Sequence, residues 1–232
     1  MDYHMNQWAD PKRSTIAFND FFSKEIESAT SILDIGTGAG AATNFISGSH
    51  PNVKFKGVDI SPELIQIAIE AASASQSDPN KISFEVGDWF NLNQAKGEFD
   101  GVISLQTISW ISELKKPMEQ IFTKIEPRWV GMSGLFYEGD ISCTTEVFEH
   151  VKNRKVNYNT YSIKELRRIA EEHGYKVIKA EPFLIDIDIN KSLDIDIMGT
   201  YTRMTSGDKI ERLQISGPLL LNWYFVLIEK SY

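Results

Sequence analysis

Apolar positions along the chain alternate between a strand-like period of two and a helix-like period near 3.6. In Thr15 to Glu27, Phe18, Phe21, Phe22 and Ile26 fall near one helical face. Ser31 to Ile35 is a short apolar strand, broken by Gly36-Thr-Gly-Ala-Gly40 and followed by a small-residue helix to about Ser47. Val53 to Val58 is the next strand, with Asp59 at its end. Ser61 and Pro62 then form a helix start, serine as N-cap and proline in the first position. Leu64, Ile65, Ala68, Ile69 and Ala72 make that helix's buried stripe. Ile82, Phe84 and Val86 alternate as a third strand and stop at Gly87-Asp88, and Phe99 to Leu105 is a fourth. Pro117 opens another helix carrying Met118, Ile121, Phe122 and Ile125, and Trp129 to Tyr137 is a fifth strand. This alternation of strand and helix predicts an α/β fold with a mostly parallel sheet.

The second half is less regular. Gly139 to Thr160 reads as an insertion with a short helix bearing Val147, Phe148 and Val151. Ser162-Ile-Lys-Glu165 has the form of a capping box, with Tyr161 and Leu166 placed for a hydrophobic staple. That helix ends near Gly174, a C-terminal cap. Tyr175 to Ile187 is a strand, Gly199 to Thr205 and Lys209 to Ile215 form a hairpin, and Leu219 to Ile228 closes the chain. No repeat or low-complexity linker divides the sequence, so residues 1–232 are expected to form one domain.

Composition narrows the function. The 232 residues carry 24 Lys+Arg against 32 Asp+Glu, a net charge of -8, which argues against nucleic acid and anionic membranes as partners. A lone Cys143 excludes an intramolecular disulfide framework and a cysteine-based zinc site. No other spacing of histidines or carboxylates calls for a metal. Asp186 to Asn190 has the acidic rhythm of a calcium loop, but Lys191 and Ile197 stand where that loop needs Gly and Glu. With a polar N-terminus and no apolar run of membrane-span length, a cytoplasmic protein is expected.

The chemistry concentrates at strand ends. A buried strand delivers the chain to Gly36 and Gly38, which can take positive φ and bring backbone close to a ligand. Asp59 follows Gly36 by 23 residues and can accept hydrogen bonds from both hydroxyls of a ribose. Gly87-Asp88-Trp89 offers a carboxylate and an aromatic face, and Phe99-Asp-Gly-Val-Ile-Ser-Leu-Gln106 ends in a polar exit. The spacing Gly-x-Gly-x-Gly departs from the Gly-x-Gly-x-x-Gly dinucleotide fingerprint, which disfavours an NAD(P)-dependent oxidoreductase.

From Ser31 to Met132 these motifs resemble the class I S-adenosylmethionine (SAM)-dependent methyltransferases. The resemblance implies a Rossmann-like three-layer sandwich with a seven-stranded, mostly parallel sheet whose last strand is antiparallel. It also implies SAM as cofactor and S-adenosylhomocysteine as product. By the same resemblance, Asp34, Gly36, Thr37, Gly38 and Gly40 shape the loop around the methionine portion, Asp34 by direct contact or by holding the loop. Asp59 takes the ribose and Ile60 lies beside the adenine. Asp88 and Trp89 bind adenine, unless Asp88 only caps its turn. Leu105 and Gln106 bound the methionyl end.

The acceptor site is expected at the same sheet edge. Three pieces would enclose it: an N-terminal lid of about residues 1–27, and insertions at about 139–160 and 188–216. That enclosure suits a small-molecule acceptor, with oxygen slightly favoured as nucleophile and a carbohydrate or other biosynthetic intermediate as one possibility. Candidate acceptor contacts are Tyr3, Trp8, Trp110, Glu138, Asp140, Tyr158, Tyr161, Arg203 and Trp223, the tryptophans having packing as their alternative role. His4, His150, Glu138 and Asp140 are the candidate bases. A non-catalytic protein built on the same cofactor fold would share every one of the cofactor signals.

Overall fold

The computed structural model describes residues 2–93, 98–191, 193, 200–216 and 223–231, with backbone alone at residues 2–5 and 216. In chain order the elements are α1 (Asp2–Ala9), α2 (Arg13–Phe21), α3 (Ser23–Glu27), β1 (Ser31–Ile35), α4 (Ala41–Ser49), β2 (Lys54–Asp59), α5 (Pro62–Ala74), β3 (Ile82–Val86) and β4 (Gly101–Leu105). A helical turn, Ile108–Trp110, leads to α6 (Lys115–Gln120), which runs into a π-turn at Ile121–Ile125. Then come β5 (Trp129–Tyr137), β6 (Glu146–Glu149), β7 (Arg154–Asn157), β8 (Tyr161–Ser162), α7 (Ile163–Glu172), β9 (Tyr175–Phe183), β10 (Thr200–Met204), β11 (Arg212–Ser216) and β12 (Trp223–Lys230).

The main sheet has the order β3-β2-β1-β4-β5-β12-β9, with β8 added beside the end of β5. Strands β1 to β5 pair in parallel, and β12 is antiparallel to both β5 and β9. This is the Rossmann-like plan, and its strand order reverses between β1 and β4, where a crevice opens at the carboxyl edge. Alternation in the strands divides the core into two layers. Ile32, Phe55, Ile103 and Phe225 pack under α2, α3 and α4 with Phe18, Phe22 and Ile26. Leu33, Val102, Val130 and Val226 pack on the other face with Met118, Leu166 and Ile169.

Local signals worked where they had a stereochemical cause. Ser61 accepts from the Leu64 amide at 3.2 Å and caps α5. Ser162 caps α7 through the Glu165 amide at 3.2 Å. The reciprocal half of that capping box is relayed: Glu165 takes the Ser142 hydroxyl at 2.5 Å, and Ser142 accepts the Ser162 amide at 2.9 Å.

The expected helix around Val147 is instead the β6–β7 hairpin. Val147 pairs with Val156; Glu146 and Lys155 form an ion pair diagonally across that rung, and Glu149 and Arg154 pair directly at the turn end. Cross-strand charge pairing of this kind favours the hairpin.

The polar-aromatic tract at Tyr158 to Tyr161 is a structural clasp. Asn159 is fully buried; its amide nitrogen donates to the Ile111 carbonyl at 2.8 Å and the Tyr161 hydroxyl at 3.0 Å, and its oxygen accepts the Thr145 amide at 2.8 Å. The Asn159→Ala substitution leaves the Thr145 amide without its acceptor and takes from the Ile111 carbonyl one of its two donors. It should lower the unfolding free energy by about 2–4 kcal/mol in urea titration, and a loss under about 1 kcal/mol would contradict the clasp.

Candidate functional site

The crevice is built on the loop between β1 and α4. Its backbone turns through three positive-φ glycines, Gly36 at 76°, Gly38 at 58° and Gly40 at 78°. A Cβ on Gly36 would lie 2.3 Å from the Thr107 side chain, whereas a Cβ on Gly38 would meet nothing within 4 Å. Gly36 therefore serves close packing, and Gly38 faces open space. The Gly36 and Thr37 amides both donate to the Val58 carbonyl, at 2.8 and 3.0 Å. One oxygen of Asp59 accepts the Gly38 amide at 2.9 Å and the other accepts the Ser61 amide at 2.9 Å.

Asp34 shares the face of Ile32 and is buried beneath the loop. It accepts the Thr43 hydroxyl at 2.5 Å, and the Thr43 hydroxyl in turn contacts that of Thr37. Its second oxygen is buried without a partner. Burial raises its pKa from 3.8 to about 6, against the opposing hydrogen bonds of Thr43 and Thr37 and with the help of the Asp59 charge.

Above this floor lies a cavity of about 200 Å³, bounded by Gly36 to Ala39, Leu105, Gln106 and Ser133 on the sheet side. The N-terminal segment closes it with Gln7, Lys12, Ser14 and Thr15. The Trp8 indole donates to the Ala39 carbonyl at 2.8 Å and packs edge-on to Phe84. Gln106 donates to the Ser14 hydroxyl at 3.1 Å. The Gln7 amide nitrogen is buried with no partner, a donor left for a ligand. Gln7, Ser14, Thr15 and Ser133 were not legible as site residues, because no local pattern marks them.

The remaining cofactor candidates divide. Ile60 is 68% exposed beside Asp59 and offers an open apolar face. Asp88 accepts the Phe90 amide at 2.8 Å, a turn cap on one of its oxygens. Trp89 corrects an expectation: it is 5% exposed, packs in the core and donates its indole N–H to the Pro117 carbonyl at 3.1 Å. Its ring faces no ligand, because core burial claims an indole whose nitrogen finds a carbonyl.

The acceptor candidates also divide. Trp223 lines a second cavity beside the first. Trp8 instead covers the glycine loop. Tyr158 and Tyr161 are buried; Trp110 stacks edge-on to Tyr158, and the Tyr161 hydroxyl donates to the Ile111 carbonyl at 2.8 Å. Arg203 lies over Tyr201 of its own hairpin. Asp140 is held in a two-pronged ion pair by Arg168, at 2.7 and 3.0 Å, which keeps its carboxyl below the usual range. Glu138 is exposed and lies 3.5 Å from the Tyr224 hydroxyl. His150 stands exposed at the hairpin turn against Phe148. None of Asp140, Glu138 and His150 lines either cavity. The insertion 139–160 does not line the cavities either, because it packs around Ile108–Trp110. The side chains of Tyr3 and His4 and the stretch 194–199 lie outside the described residues. Among the described residues no cluster of three metal-binding side chains occurs, and no helix is long and apolar enough to cross a membrane.

The parallel sheet, the glycine turn and the acidic end of β2 define a nucleoside-cofactor site of Rossmann type. A methyltransferase-domain family model matches residues 26–181. The malonyl-(acyl-carrier protein) O-methyltransferase of Priestia megaterium is 24% identical over 176 residues, covering 70% of this chain and 61% of that protein. The ajmaline N-methyltransferase of Rauvolfia serpentina is 30% identical over 101 residues, 44% of this chain and 34% of that one. The chain therefore spans about three fifths of the first relative and a third of the second. Magnesium protoporphyrin IX methyltransferase of Synechocystis PCC 6803, solved with bound SAM, shares the fold with a TM-score of 0.59 at 14% identity, over 94% of this chain and 79% of that one. The chain belongs to the class I SAM-dependent methyltransferases.

Asp34 gives this site a pH signature. Its carboxyl ionises near 3.8 when unfolded and near 6 when folded, so the folded state holds the proton longer. Stability therefore falls as pH rises from about 4 to 6 and stays lower above that, by roughly 2–3 kcal/mol. In Asp34→Asn that decline should flatten. Urea titrations at several pH values read the slope directly, and an unchanged slope would contradict the assignment.

Proposed function

We propose that this chain, acting as one domain, transfers a methyl group from SAM to a small-molecule acceptor, with oxygen as the favoured nucleophile. The carrying observation is the cavity over Gly38, which has a buried unpartnered donor at Gln7 and lies against a second cavity. The residues present fit SAM. Asp59 would take the ribose hydroxyls on the lone pairs that Gly38 and Ser61 leave open, and Ile60 would lie along the adenine. Gln7 would donate to the carboxylate of the methionine portion, and Leu105 and Gln106 would bound its other side.

When bound, SAM supplies an electrophilic methyl on a sulfonium, which leaves in line as a neutral thioether. The chain's task is then alignment and exclusion of water. Helix α1 and the start of α2 form one side of the cavity, and the Gln106–Ser14 contact fixes the wall where the two cavities meet.

Calorimetry should show SAM binding; an absence of heat at about 1 mM SAM would sink the reading. Asp59→Ala, which removes two hydrogen bonds to a charged group, should weaken binding by about 10–100-fold or more. Gln7→Ala separates the two ends of the ligand. It should weaken SAM by about tenfold yet leave methylthioadenosine, which has no amino-acid portion, nearly unaffected. Equal effects on both ligands would remove Gln7 from the carboxylate.

A further inference from the structure

The second cavity, of about 410 Å³, lies against the first and shares Lys12, Ser14 and Gln106 with it. Its size is in the range of small-molecule sites. One wall is Phe183 and Trp223, paired across β9 and β12. The other is Ile185, Ile187 and Ile189, from the segment after β9. That segment is fixed by β10: the Ile189 amide donates to the Thr202 hydroxyl at 2.7 Å, and the Thr202 amide donates to the Ile189 carbonyl at 2.9 Å. Among the described residues the titratable groups lining the cavity are Lys12, Arg13 and Asp186, and Asp186 is ion-paired with Arg13 at 2.6 Å.

We propose that this cavity holds the acceptor, and that the acceptor is an apolar carboxylic acid methylated on its carboxylate to give the ester. The proposal rests on the methyltransferase reading and adds the substrate class. Three observations converge on it. First, the walls are aliphatic and aromatic, which suits an acyl or aryl body and not a carbohydrate, whose hydroxyls would find too few partners there. Second, among the described residues the one carboxylate lining the cavity, Asp186, is ion-paired with Arg13, and no histidine lines it. An alcohol or phenol would have to give up a proton during attack, whereas a carboxylate is already ionised above about pH 5. Third, the neck holds donors and positive charge. Lys12 lines it, and Ser14 accepts from Gln106 and so keeps its own proton to donate. Two cations against the single carboxylate Asp186 leave the lining net positive, which disfavours a protonated amine.

The step balances without a proton. A carboxylate oxygen forms the bond to the methyl carbon, the carbon–sulfur bond breaks, and its electron pair stays on sulfur. An anion and a cation become a neutral ester and a neutral thioether. A reaction that cancels charge is favoured by apolar surroundings, which Phe183, Trp223 and the three isoleucines supply on two walls.

The test uses the whole protein with methyl-labelled SAM and matched acids, alcohols and amines on octyl and phenylethyl skeletons. Esters release labelled methanol in dilute alkali; ethers and methylamines do not. The expected result is alkali-labile label from the acids, at rates at least about tenfold above the alcohols. Ile187→Trp, which fills the cavity, should raise the KM for the acids about tenfold while calorimetric SAM affinity stays within about twofold. Alkali-stable label from alcohols or amines, with SAM bound, would overturn the proposal. So would SAM binding with no ester formed and no acid perturbing the tryptophan fluorescence of the S-adenosylhomocysteine complex. Failure to bind SAM at all is a different result, because it rejects the methyltransferase reading itself.

Discussion

The glycine loop after β1 is held in shape by two carboxylates, and the rest of the site is hung on that loop. Asp59, from the end of β2, pins the Gly38 amide and so fixes where the open side of the turn faces. Asp34, from inside β1, grips α4 through Thr43 and reaches Thr37 through the paired hydroxyls. Thr107 closes the far side by donating to the Gly36 carbonyl at 3.0 Å. The Ala39 carbonyl, presented by the same turn, receives the Trp8 indole and seats the lid. Floor, wall and lid thus refer back to five consecutive residues, and the cost is a carboxyl buried with one oxygen unsatisfied. Such a group is tolerated where function gains from it.

Those five residues were also the most legible part of the sequence, for the same physical reason. A turn that needs positive φ at Gly36, Gly38 and Gly40 can be written in few ways, so the chain spells it openly. The strand pattern was legible through burial: β5 occupies the predicted Trp129 to Tyr137, because eight of its nine residues are buried. The helix starts at Ser61 and Ser162 were legible because a hydroxyl cap has a fixed offset to the amide it serves.

Elsewhere the information is not local. Trp89 sits in the motif position of a ligand contact, yet its indole goes to Pro117, 28 residues on. Asp140 follows β5 as an acceptor contact should, yet Arg168 on α7 takes both of its oxygens. Tyr158 has the place of an acceptor contact, yet it and its neighbour Asn159 are interior, bonding to Ser109, Ile111 and Thr145. In each case a distant partner decides the role, and nothing within a few residues reports it. Gln7 is the reverse: a glutamine without any pattern becomes a site residue because α1 folds across the loop.

Net charge describes this site poorly, because its charges are sorted in space. The chain is acidic by eight charges, and Asp34 and Asp59 put two of its carboxylates under and beside the cofactor cavity. Lys12 and Arg13, only one residue apart at the start of α2, line the acceptor side, in a first turn with no acidic residue. The result is a local dipole across the neck, negative toward the loop and positive toward the apolar chamber. On the proposed reading a sulfonium would be stabilised at one end and a carboxylate at the other. The Arg13–Asp186 ion pair belongs to the same arrangement: it ties the lid to the wall of the acceptor chamber. It is exposed on both sides, so it contributes little to stability. The N-terminal segment is thus held to the glycine loop by the part-buried Trp8 indole and to the segment after β9 by a solvated pair, the weaker of its two ties.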